Sequence, residues 1–182
     1  MGQIYKVNLV NSAKLLPYEE KILQKHINNL MISFTVIRDD DGESIDYVTD
    51  GLLPISDYAI KDIESAFIIL LTLVEAYITA QRYLLNPFRF FSDRDRVYVS
   101  SKSGRAFPMF GCDGNIKSKE IELVLPIINE LAARTEVTSI KDAMESVVNK
   151  IRGNNLGLKD ILRAVQSAQR EWNLRTSKIS YL

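Results

Sequence analysis

The stretch Arg82-Tyr83-Leu84-Leu85-Asn86-Pro87-Phe88-Arg89-Phe90-Phe91, followed by Asp93 and then Val97-Tyr98-Val99, decides how the rest of the chain is read. It closes a long apolar run at 66–80 (AFIILLTLVEAYITA). A helix of that composition is apolar on nearly every side and belongs in the centre of a core. At about 15 residues, with Glu75 inside it, the run falls short of the roughly 20 that a membrane span needs. The helix is expected over 61–82. Asn86-Pro87 interrupts it, because the residue before a proline resists helical geometry. Residues 88–91, a polar turn at 92–96 and residues 97–99 then read as a small hairpin.

Upstream, residues 3–10 (QIYKVNLV) alternate polar and apolar, the pattern of a half-buried strand, and Asn11 and Ser12 break it. Pro17 suits a first helical turn. The helix expected over 18–27 carries Glu19 and Glu20 early and Lys25 and His26 late, matching the helix dipole. Residues 30–37 and 44–48 read as strands joined by Asp39-Asp40-Asp41-Gly42, a hairpin. A break runs from Asp50-Gly51 to Pro54, and 55–60 is a short helical turn.

Downstream, 100–117 is a loop holding Gly104, Gly111 and Gly114. Helices follow at 118–134, 140–152 and 158–172, with Ser139 and Asp142 as a capping box and Gly153 as a C-terminal stop. The tail from Arg175 is polar and expected to fray. The order gives one α+β domain: a small mixed lobe at 1–53, a mainly helical lobe at 54–174, and a tail at 175–182.

The 182 residues suffice for one sizeable core. Hydrophobic residues make up 46% and charged residues 25%, which fits a globular rather than a disordered chain. Lys+Arg and Asp+Glu balance at 23 each, so no global field draws in nucleic acid or an anionic membrane. The single cysteine, Cys112, excludes an internal disulfide framework. With no signal-peptide pattern, the expected compartment is the reducing cytoplasm. Met1-Gly2 begins like a myristoylation signal, but Lys6 stands where Ser or Thr is required.

The 83–99 segment resembles the part of a protein kinase in which a long buried helix runs into the catalytic loop H-R-D-L-x-x-x-N and on to D-F-G. Aligned on Pro87, the catalytic Asp falls on Leu84 and the metal-binding Asn on Arg89. The D-F-G motif falls near Ser101-Lys102-Ser103. Leucine accepts no proton from a hydroxyl, arginine repels Mg²⁺, and the third position carries no acid. Phosphoryl transfer would lose its main electrostatic stabilisation. The front half holds no G-x-G-x-x-G; Lys6 opposite Glu19 or Glu20 is a candidate for the phosphate-binding lysine position, though nothing in the spacing demands it.

The string Asp46-Tyr47-Val48, then Pro54, the long helix and Tyr83-Leu84-Leu85-Asn86-Pro87 resembles reduced kinase-like domains of Gram-positive bacteria. These include the cytosolic N-terminal domain of EssB/YukC type VII secretion proteins and N-terminal domains of FHA-domain membrane proteins. The resemblance implies a reduced protein-kinase-like fold and a pseudokinase-like, non-catalytic interaction or adaptor domain. It would need no cofactor and no metal, and would serve a membrane-associated secretion or signalling assembly. It also implies a protein partner, with a second copy as a further candidate, and a cytoplasmic place at the inner membrane face through a partner or an anchor outside these residues. A ligand-sensing domain with a nucleotide or metabolite between the lobes is the alternative.

Arg82, Arg94, Arg96, Lys102 and Arg105 are the candidate docking residues. With Arg89 they outnumber Asp93 and Asp95, and Phe88, Phe90 and Tyr98 are interleaved. Such a set suits an acidic or phosphorylated partner better than single-stranded nucleic acid. Asp39-Asp40-Asp41-Gly42-Glu43 is a solvated turn rather than a calcium loop, because Ile37 and Val48 would stand at the terminal ligand positions. His26 has no second histidine for a zinc site. Cys112 has no nearby base to activate it. Ser100-Ser101-Lys102-Ser103-Gly104 has residues suited to phosphate without P-loop spacing.

Overall fold

The apolar run becomes α2 (Ile63–Arg82), around which the rest of the chain is laid. Asp62 caps it, accepting from the Ser65 N–H at 2.7 Å and from the Ser65 hydroxyl. Those bonds hold the Asp62 carboxyl below its ordinary range. Ten α2 residues are buried, among them Phe67, Leu70, Leu73 and Tyr77. α2 is the one helix among the described residues long and apolar enough to cross a membrane, yet its neighbours are protein. α3 (Ile121–Ala133), α4 (Thr138–Ile151) and α5 (Leu158–Ile179) all pack against it. Each Leu, Ile or Phe buried there contributes roughly 1.5–3 kcal/mol.

The computed structural model describes residues 4–9, 14–25, 29–40, 42–111, 117–152 and 156–179. The readings of Met1-Gly2, Asn11-Ser12, His26, Asp41, Cys112, Gly114 and Gly153 lie outside them.

Two three-stranded antiparallel sheets complete an α+β fold. The first has the order β1 (Ile4–Leu9), β3 (Gly42–Val48), β2 (Phe34–Asp39), with α1 (Pro17–Lys25) between β1 and β2 in sequence. The expected hairpin is present with Asp39 opposite Gly42, whose φ of +139° suits glycine at the tight reversal. Ile45 and Tyr47 of β3 are buried, at 1% and 0% exposure. The second sheet has the order β4 (Leu52–Pro54), β5 (Val97–Ser100), β6 (Ala106–Pro108) and lies on α2 through β6. Thr72 of α2 fixes that contact, its hydroxyl accepting from the Ala106 N–H at 2.9 Å.

Several expectations are corrected. Residues 88–91 are not the first strand of a hairpin. Pro87–Arg89 is a 3₁₀ turn capped by the Asn86 side chain, which accepts from the Phe88 N–H at 3.0 Å. β5 pairs instead with β4, inside the expected break, and β6, inside the expected glycine loop. Three-residue strands are too short to show periodicity. Phe90 keeps a single bridge, to Phe110. The short helical turn expected at 55–60 is confined to a turn at 55–57, where the Asp57 and Tyr58 N–H groups donate to the Pro54 carbonyl at 2.8 and 3.1 Å. α4 starts at Thr138 with Val137 at its N-cap and no side-chain cap bond, which puts Ser139 inside the helix and dissolves the capping box. The tail at 175–182 is not wholly frayed, since α5 continues to Ile179. No Gly or Pro after Trp172 stops it. The expected lobe boundary at 53 falls inside β4, so the connecting segment is itself a strand of the second sheet.

Candidate functional site

α2 ends in a Schellman motif. The Leu85 N–H donates to the Ala80 carbonyl and the Leu84 N–H to the Gln81 carbonyl, both at 3.0 Å. This places Leu84 in the left-handed region at φ +62°, where glycine is usual, with its side chain 82% exposed. Leu85 turns inward and is buried. Leu84, aligned with the kinase catalytic Asp, is therefore a strained and solvent-facing apolar residue rather than part of the packing.

Arg89, aligned with the metal-binding Asn, faces the other way. Its Nη1 is ion-paired with Glu19 of α1, its Nη2 donates to the Lys14 carbonyl at 3.1 Å, and its guanidinium lies 4.9 Å over the Phe110 ring. Glu19 is 2% exposed and also accepts from the Leu16 N–H at 2.9 Å. Glu20, its neighbour, pairs with Arg38 at 2.7 Å, and Arg38 pairs with Glu43 at 2.9 Å. These pairs, led by the bonds to Glu20 and Glu43, hold the Arg38 guanidinium above its ordinary range. Glu43 accepts from the Leu15 N–H at 2.7 Å. Two carboxylates and one arginine thus strap residues 14–16 from both sides. Both acids of α1 are taken by arginines, and Lys6 stands opposite Asp46 in the β1–β3 register. The lysine–glutamate arrangement that would mimic a kinase does not form.

Tyr47 and Tyr5 join the first sheet to the second half. The Tyr47 hydroxyl donates to the Phe110 carbonyl, and the Tyr5 ring meets the Tyr98 ring edge-on at 6.5 Å. Behind them Phe90 lies between Tyr77 and Phe110, with ring centroids 5.6 and 4.9 Å away. Aromatic side chains and the Glu19–Arg89 pair fill the junction between the halves.

Ser101 is not beside these residues. It sits in the β5–β6 turn, where its N–H and hydroxyl both donate to the Gly51 carbonyl. Four residues of strand, about 13 Å, separate it from Val97. The turn amides are engaged as well: those of Lys102 and Ser103 donate to the Ser100 hydroxyl, Gly104 to the Ser100 carbonyl, and Arg105 to the Ser103 hydroxyl. None remains to cradle a phosphate. Among the described residues no cluster of three or more His, Cys, Asp or Glu could hold a metal.

The five docking candidates separate into three places. Arg94 and Arg96 lie before β5: Arg94 is 3.9 Å from Glu130 of α3, and Arg96 pairs with Asp93 at 2.7 Å while stacking 3.9 Å over Phe91. Lys102 and Arg105 flank the β5–β6 turn, where Gly104 neighbours Ile68 in the first half of α2. Arg82 is fourteen residues further along α2 than Ile68, about 21 Å at 1.5 Å per residue. It joins Lys159 and Arg163 of α5 around a groove that also touches Leu30. No family model matches this sequence, and no curated protein matches it. Nothing in the sequence groups Lys159 and Arg163 with Arg82, because only the packing of α5 on α2 places them together.

Proposed function

We propose that this chain is a non-catalytic, reduced kinase-like domain that docks protein partners in the cytoplasm, within a membrane-associated assembly. The observation that carries the reading is Arg89. At the position that alignment on Pro87 gives to a kinase metal-binding side chain, it is a structural tie, joined to Glu19, the Lys14 carbonyl and the Phe110 ring. A guanidinium held there opposes a divalent cation electrostatically. Leu84 supplies no proton acceptor, and Ser101 lies at the far end of β5. The small sheet with one helix, followed by a central helix and three more, fits the element order of such a domain.

The test is turnover. Purified protein incubated with MgATP is expected to release no ADP above a heat-denatured control and to show no rise in Tm with the nucleotide. Magnesium-dependent turnover lost on Leu84→Ala or Arg89→Ala substitution would overturn the proposal.

A further inference from the structure

The groove between α2 and α5 has a chemistry that selects its occupant. It encloses about 450 Å³. α2 contributes Glu75, Ile78, Thr79 and Arg82, and α5 contributes Lys159, Leu162, Arg163 and Gln166. Each set follows the spacing i, i+3, i+4, i+7, one stripe per helix, about 10.5 Å long. Each stripe has one apolar residue at its i+3 position, Ile78 (6% exposed) and the half-buried Leu162, beside Thr79 and Arg163 at i+4, and Leu30 from the first half of the chain also lines the groove. Arg82 and Lys159 are exposed, and Arg163, 76% exposed, makes a surface contact to Asp160 at 3.1 Å. Three cations therefore face Glu75 as the single lining anion.

We propose that this groove is the docking surface of the domain and takes an acidic amphipathic helix of a partner protein, about two turns long. Its apolar residues would rest on Leu30, Ile78 and Leu162 while its carboxylates meet Arg82, Lys159 and Arg163. Two stripes of this length and spacing match the helix-in-groove mode of recognition, with the apolar anchors supplying affinity and the charges supplying register. The comparable groove between α3 and α4 holds Lys141, Glu145 and Arg152 around Met144, one cation fewer against one anion, and so has the weaker positive bias of the two. The inference rests on the interaction-domain reading and names the surface that reading lacks.

Fluorescence anisotropy of labelled synthetic helices tests it, using one peptide with glutamates flanking a leucine stripe and its lysine counterpart. The glutamate peptide is expected to bind and the lysine peptide not to. Arg82→Glu/Lys159→Glu should weaken binding about tenfold or more, while Lys102→Glu/Arg105→Glu, an equal change of charge elsewhere, leaves it within about twofold. Leu162→Ala, with a circular-dichroism melt to verify folding, should weaken binding without changing its salt dependence. Equal losses for both charge-reversed pairs, no binding, or preference for vesicles containing phosphatidylglycerol over the peptide would overturn the groove assignment. So would self-association abolished by Arg82→Glu/Lys159→Glu, which would make a second copy the occupant. These outcomes are separate from ATP turnover, which would overturn the scaffold reading and leave the groove measurement standing.

Discussion

Arg89 in the 3₁₀ turn after α2 is ion-paired with Glu19 in α1, seventy residues upstream, and the glutamate is 2% exposed. The pair joins the small first sheet and its helix to the helical remainder. A carboxylate this deeply buried depends on its partners, here a guanidinium and one backbone N–H. Replacing both charges together is far less costly than removing one.

Arg89→Met is accordingly expected to destabilise the fold by about 3 kcal/mol, because it strands the Glu19 carboxylate. Glu19→Gln/Arg89→Met should recover most of that loss, since the amide oxygen can still accept from the Leu16 N–H. Urea denaturation of the single and double variants measures the difference. A double variant as unstable as the single would mean that Arg89 acts through its packing on Phe110 rather than through the ion pair.

Leu84 gives the opposite sign. An L-residue in the left-handed region is strained by roughly 1–2 kcal/mol, offset in a glycine variant by the larger entropy of the unfolded chain. Leu84→Gly is expected to raise stability by about 0.5–1 kcal/mol. Leu84→Ala should give no comparable gain, because alanine keeps the Cβ. The midpoint of chemical denaturation distinguishes them.

Legibility in the sequence followed from how each signal is generated. The centre of α2 was readable because a helix buried on all sides needs no neighbour to explain its composition, and the β2–β3 hairpin announced itself through its turn. Residues 88–91 misled because aromatic residues after a proline resemble a strand, whereas Asn86 and Pro87 start a 3₁₀ turn. β4 and β6 are strands only because β5 lies between them. The functional candidates follow the same division. Arg89 could be singled out by alignment, but its partner Glu19 is chosen by the docking of α1. Arg82 could be singled out by its charge, but Lys159 and Arg163 become its neighbours only in three dimensions.

Gly111 is close-packed rather than conformationally special. A Cβ there would lie 2.6 and 2.8 Å from atoms of the Phe91 ring, itself buried at 1% exposure and covered by Arg96. The Gly111 N–H donates to the Arg89 carbonyl at 2.7 Å, which stops the backbone from withdrawing. Gly111→Ala is therefore expected to cost about 1–3 kcal/mol by overpacking. Phe91→Leu in the same chain should return part of it, readable as a rise in Tm over the single variant.

Tyr47 and Tyr77 make the fold sensitive to alkali. Both side chains are fully buried, and burial lifts both phenols well above the ordinary tyrosine range. In the unfolded chain they would ionise near pH 10. Below that pH both states hold these protons and stability does not depend on them. Above it the unfolded state releases protons that the folded state retains, so stability falls as pH rises. Of the eight tyrosines, these two should stay silent in a near-ultraviolet absorbance titration until the chain unfolds, and should then ionise together with the loss of helical circular dichroism. Tyr47→Phe removes one of the late phenols but strips the buried Phe110 carbonyl of its donor, at a cost of about 1 kcal/mol at neutral pH. A wild-type titration in which all tyrosines ionise reversibly around pH 10 with the fold intact would contradict the buried aromatic junction between the two halves of the chain.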